Sequence, residues 1–226
     1  MTTTTLTHRA SARWVPYALV ALSLIPVLSG SLRLGGLAGG PQVMPVDPRI
    51  VTFPLPVVLH ILTVIPYSLL GAFQFSARLR QRRPGWHRAA GRVLVPLALV
   101  VAGSGLWITL AYPTKPGAGV LLFAFRIAVG IGMATSVVLG FAAIRRRDIA
   151  THRAWMTRAY ALALGAGTQA FTGAFGPMLV GTSVLANDLT MGAAWAINLT
   201  VAEIAIRRGR RTPARKAAHI ASGARP

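Results

Sequence analysis

The sequence predicts an all-α fold: a polytopic transmembrane helical bundle of about six helices, with N and C termini on the cytoplasmic side. Three observations predict it. Of the 226 residues, 54% are hydrophobic and 12% charged, against about 25% charged in a soluble domain. Six apolar runs approach the roughly 20 residues that a helix needs to cross a bilayer. The 24 lysines and arginines crowd onto alternate connecting segments, the asymmetry that orients helical membrane proteins.

The six runs are residues 14–32, 51–75, 93–112, 119–144, 159–180 and 190–206. The first follows Arg9 and Arg13, as the core of a secretory signal follows its basic region. It is longer than a signal core of roughly 7–15 residues, and no A-x-A-like site follows it, so an uncleaved first span is expected. Pro66 lies inside the second run and should kink it. Arg126 interrupts the fourth, and the sixth is the shortest. The Gly- and Pro-rich stretches 35–48 and 113–119 read as loops. The expected organisation is a cytoplasmic segment 1–13, a six-helix domain 14–206 and a disordered basic tail 207–226.

A net charge of +20 suggests nucleic acid at first sight. The distribution excludes that reading. Basic residues form short blocks between long uncharged runs: six arginines in 76–92, five in 145–158, seven basic residues after Ile206. The opposite connections hold only Arg33, Arg49 and Lys115. Such blocks face anionic headgroups, so the expected partner is the bilayer, joined by a membrane protein or a second copy. Arginine outnumbers lysine heavily in an Ala- and Gly-rich chain, which points to a high-GC bacterial genome and to the cytoplasmic membrane. With no cysteine, thiol chemistry and disulfides are excluded. Four acidic residues (Asp47, Asp148, Asp188, Glu203) are too few for paired-carboxylate hydrolysis or a carboxylate calcium cage.

Polar groups inside a membrane are costly and usually face the bundle interior. On the second run His60, Tyr67, Gly71, Gln74 and Arg78 fall on one helical stripe. Counted from residue 51, His60 should lie roughly 13 Å deep, near the midplane. It is a candidate haem or metal ligand, quinone contact or proton carrier; the plainer alternative is a neutral histidine bonded to another helix. Tyr67 and Gln74 suit interhelical hydrogen bonds. Arg126 reaches a similar depth and could hold a carboxylate-bearing ligand, such as a haem propionate, or snorkel outward.

Two basic segments resemble each other. Trp86-His87-Arg88-Ala89-Ala90-Gly91-Arg92 leads into the third run, and Thr151-His152-Arg153-Ala154-Trp155-Met156-Thr157-Arg158 into the fifth. His87 and His152, with His60, are the candidate metal ligands. Arg88, Arg92, Arg153 and Arg158 could hold a phosphate or headgroup. As structure alone, both segments read as an interfacial belt of Trp and Arg. Asn198 belongs to the sixth run, and Glu203 near its inner end should pair with a cytoplasmic arginine. No P-loop, nucleophile elbow, H-E-x-x-H or dinucleotide fingerprint is present.

These elements in order carry a resemblance: His60…Gly71-Ala72-Phe73-Gln74-Phe75…Arg78, then His87-Arg88-Ala89-Ala90-Gly91-Arg92, then His152-Arg153-Ala154-Trp155-Met156…Arg158, then Trp195…Asn198…Glu203. Over roughly residues 51–206 the chain resembles the bacterial membrane-protein family called domain of unknown function 2306. The resemblance implies a multi-spanning membrane protein and assigns no activity. It also implies an arginine in the helix after the H-R-x-W-M element, where this chain has Gly167-Thr168-Gln169-Ala170-Phe171.

Three functional readings follow: a redox membrane protein using haem b or a quinone, a transporter or binding protein for a small or lipid-like anion, and a non-catalytic membrane subunit.

Overall fold

The computed structural model describes residues 14–223, with side chains through residue 209. The expected segment 1–13, and the side chains of the tail beyond residue 209, lie outside the described residues. Among the described residues every element is helical: α1 Val15–Leu37, α2 Pro48–Thr52, α3 Leu55–Gln74, α4 Ala77–Arg82, α5 Pro84–Ala111, α6 Val120–Arg145, α7 Ile149–Ala163, α8 Gly165–Val180 and α9 Val184–Gly223. Five of them, α1, α3, α5, α6 and the first part of α9, are long and apolar enough to cross a membrane.

The fifth apolar run is the exception. It breaks at Leu164 into α7 and α8, of 15 and 16 residues. The chain still passes through the bundle, because α7 starts at the basic end and α8 finishes at the other. Gly165 is the first cause of the break. A Cβ there would lie 2.0 Å from Nε1 of Trp195, so only glycine lets α9 approach this closely. Asn198 is the second. Its Nδ2 donates to the Ala161 carbonyl at 3.1 Å, one of the last-turn carbonyls that a helix end leaves unpaired. Its Oδ1 accepts from Thr168 Oγ1 at 2.8 Å.

Other expected boundaries shift. The helix α9 continues beyond Ile206 as far as Gly223, across much of the stretch expected to be a disordered tail. Residues 51–54 do not open the second span, because α2 ends at Thr52 and Pro54 caps a separate helix α3. His60 therefore lies about 7.5 Å from the start of its helix, at about 1.5 Å per residue, shallower than the midplane position expected. Arg78 leaves the stripe, since it lies on α4 and is exposed.

Small residues carry the packing, as expected where lipid tails remove the hydrophobic drive between helices. Ala72, Ala143, Ala159 and Ala194 are fully buried. A Cβ at Gly71 would meet the Tyr160 ring at 2.5 Å, and one at Gly167 the Leu22 carbonyl oxygen at 2.3 Å. Large apolar residues such as Leu28, Leu110 and Leu179 stay exposed around the outside, where a bilayer would cover them. The α6–α7 turn closes with Ile144 and Ala143 carbonyls accepting from the Arg147 and Asp148 N–H groups, a Schellman end that puts Arg147 at φ 62.

Two ends are thereby defined. One holds α4, the start of α5 and the α6–α7 turn, and carries the arginine blocks. At the other, Arg49 donates to Pro113 O at 2.8 Å, Tyr112 OH to Phe53 O at 2.5 Å, and Asn187 Nδ2 to Gly117 O at 2.8 Å.

Candidate functional site: a cationic cavity in the bundle

A cavity of about 450 Å³ opens beside the loop Pro113–Lys115 and runs inward to the Leu164 break. All the long helices and α8 contribute to its wall, which is mostly apolar. Its size falls within the roughly 300–1,000 Å³ usual for small-molecule sites. The break itself forms part of the floor, through Leu162, Leu164, Gly167 and Trp195.

His60 and Arg126 both line this cavity. His60 Nδ1 lies 3.0 Å from Ser104 Oγ on α5. That hydroxyl donates to the Val100 carbonyl at 2.6 Å, so it accepts from His60 Nδ1–H. The imidazole is held as the Nδ1–H tautomer when neutral, leaving Nε2 with its lone pair. Arg126 has no hydrogen-bonded or ion-paired partner among the described residues; its electrostatic neighbours are Arg49, which repels it, and Asp188, which attracts it. Arg49 and Lys115 add positive charge at the mouth, and among the described residues no carboxylate lines the wall. Arg49 itself is engaged, with Nε and Nη2 on the two Asp47 oxygens at 2.9 and 2.6 Å. That bidentate pair holds the Asp47 carboxyl below the usual carboxylate range.

Gln169, which stands where the family resemblance implies an arginine nearby, also lines the cavity and donates to the Met191 carbonyl at 3.2 Å. Asp188 escaped the sequence reading as a site residue. It is 2% exposed, and from α9 its two oxygens accept the Gly119 and Leu122 N–H groups at 2.9 and 3.1 Å. A carboxylate at this helix start satisfies orphan donors and the helix dipole together. Its signal was available: one of four acids in the chain, beside an apolar run.

The remaining candidates lie elsewhere. Tyr67 is buried against Tyr160, ring centroids 5.8 Å apart. Gln74 and His87 each keep a buried nitrogen, Nε2 and Nδ1, without a partner among the described residues. His152 Nδ1 lies 2.9 Å from the Gly140 carbonyl, to which it donates, clasping α7 to α6. Arg158 pairs with Glu203 through Nε and Nη2 at 2.5 and 3.1 Å and stacks on Trp155. Arg88, Arg92 and Arg153 are exposed at the basic end. Asn198 is occupied at the helix break.

His60, His87 and His152 do not form one metal site. No three His, Cys, Asp or Glu among the described residues are grouped to hold a metal ion. The antiparallel run of α3 and α5 explains it: His60 faces Ser104, far along α5 from His87. A haem held by two histidines does not fit the cavity either, since among the described residues His60 is the only histidine in its wall.

Five helices long and apolar enough to span, an exposed apolar surface and a few buried polar groups together define a polytopic α-helical membrane protein. Within that class, the chain belongs to the family described as "Predicted membrane protein (DUF2306)", whose model matches residues 57–206. The match begins in α3 and leaves α1 outside. No curated protein and no solved structure matches the chain.

Proposed function

We propose that the protein is a membrane-embedded binding protein or transporter for a small amphipathic anion, a carboxylate or similar group on an apolar body. The observation that carries this reading is Arg126, a guanidinium without a hydrogen-bonded partner among the described residues, in the wall of a mostly apolar cavity. Ionisable groups at such depth ordinarily pair or face a ligand path. The anion would meet Arg126, with Lys115 at the mouth, and the tail would lie along Val57, Ile61 and Val64. The Nε2 of His60 offers a second polar contact. Within this reading the arginine-rich end faces the cytoplasm of a bacterial cell and rests on anionic headgroups.

The test is a tryptophan-fluorescence titration, since Trp195 lines the cavity. Decanoate, decanol and a short-chain quinone would be added in turn to the detergent-purified protein. Decanoate should bind about tenfold or more tightly than decanol, the scale of one charge-assisted contact. Arg126→Gln should remove that difference. Equal affinity for decanol, preference for the quinone, or an unaltered Arg126→Gln variant would overturn the proposal.

A further inference from the structure

A second polar cluster sits at the basic end, apart from the cavity. Its members come from α3, α4, α5 and α7. His60 facing Ser104 sets the antiparallel register of α3 and α5. Carried along both helices, that register brings Gln74 level with Ala90, about one turn from His87. His87 in turn lies within electrostatic range of Arg80, His152 and Arg88, and Arg80 within range of Arg153.

Two features separate this cluster from an ordinary interfacial belt. Gln74 Nε2, a donor, and His87 Nδ1, a donor in one of its two neutral tautomers, are buried and have no hydrogen-bond partner among the described residues, a rare condition in a folded interior. The surrounding charge is of one sign. Burial and the neighbouring Arg153 hold Arg80 below the usual arginine range. Of the acids toward the basic end, Asp148 accepts from Thr151 N at 3.0 Å, and Glu203 pairs with Arg158. A buried amide donor and an imidazole beside guanidinium groups are complementary to a compact, multiply charged oxyanion.

We infer that Gln74 and His87, with Arg80 and Arg153 around them, form a phosphate-binding site open to the basic side of the membrane. Either the phosphate of an anionic lipid headgroup or a soluble phosphate compound has the required chemistry. The site shares no residue with the Arg126 cavity and does not depend on what that cavity binds.

Thermal unfolding of the full-length protein in detergent tests it, with inorganic phosphate and a short-chain phosphatidylglycerol as separate probes. At least one should raise the midpoint. A rise with inorganic phosphate assigns a soluble ligand, and a rise with the lipid alone assigns a headgroup. Arg80→Gln with Arg153→Gln should weaken that probe about tenfold, the loss of charge-assisted contacts, while Arg126→Gln leaves it unchanged. Gln74→Leu separates binding from folding: Nε2 has no protein partner to lose, so the unliganded midpoint should hold or rise while phosphate binding falls. No shift with either probe, or a shift that survives both Arg80→Gln/Arg153→Gln and Gln74→Leu, would overturn the inference.

Discussion

A single carboxylate shows how much one residue decides in this bundle. Asp188 is buried on α9, yet its work is done on α6, where it closes the first turn by accepting two backbone N–H groups. Those donors would otherwise face a low-dielectric interior. Asp188→Ala should lower stability by about 1.5–3 kcal/mol, the range for hydrogen bonds to a charged group. Asp188→Asn keeps one acceptor oxygen and should fall between. Denaturant unfolding in mixed micelles measures the order, and an Asn variant less stable than Ala would contradict it. His60 makes the complementary point. Its sequence position marked it as intramembrane, but its tautomer follows from Ser104 on another helix, which no local pattern encodes.

Among the elements, the paired helices α7 and α8 depart furthest from expectation. Hydropathy reads residues 159–180 as one span because nearly every residue is apolar or small and none is charged. The break depends on what packs against it: Trp195 over Gly165, Asn198 on the Ala161 carbonyl, and Leu22 of α1 over Gly167. Gly167→Ala would drive a methyl group onto the Leu22 carbonyl oxygen, a backbone atom that cannot swing aside. The cost should be about 1–3 kcal/mol, as for overpacked cores. Gly103 on α5 is the control, with nothing within 4 Å of a Cβ there. Gly103→Ala should be neutral or stabilising by about 0.5–1 kcal/mol from helix propensity alone. Thermal melts of the two variants side by side decide this; equal effects would mean that the α1–α8 contact is not tight in the membrane.

At the scale of the whole molecule, the prediction concerns its passage through the bilayer. The expectation is six crossings, five by the helices long and apolar enough to span and one by the α7–α8 pair, with 76–84 and 145–149 at one end and 112–119 and 181–183 at the other. The absence of cysteine makes single-cysteine labelling free of background. In intact cells, an impermeant maleimide should label Thr114→Cys and Thr182→Cys. Arg83→Cys and Arg146→Cys should label only after permeabilisation. The opposite pattern would invert the orientation, and labelling of Thr114→Cys and Thr182→Cys from different sides would break the crossing count.

Read along its length, the sequence specifies the membrane, the helical class and the basic end, because hydropathy and charge are summed along the chain and need no partner. It also marked His60 and Arg126 as intramembrane polar groups. Interhelical packing sets which polar groups meet: Arg126 and His60 line one cavity, Glu203 pairs with Arg158, and Asn198 is spent on a broken helix. It also sets His60 apart from His87 and His152, which lie within electrostatic range of each other. Those outcomes turn on interhelical register and on how closely glycines let backbones approach, and both are properties of pairs of helices rather than of any one stretch of chain.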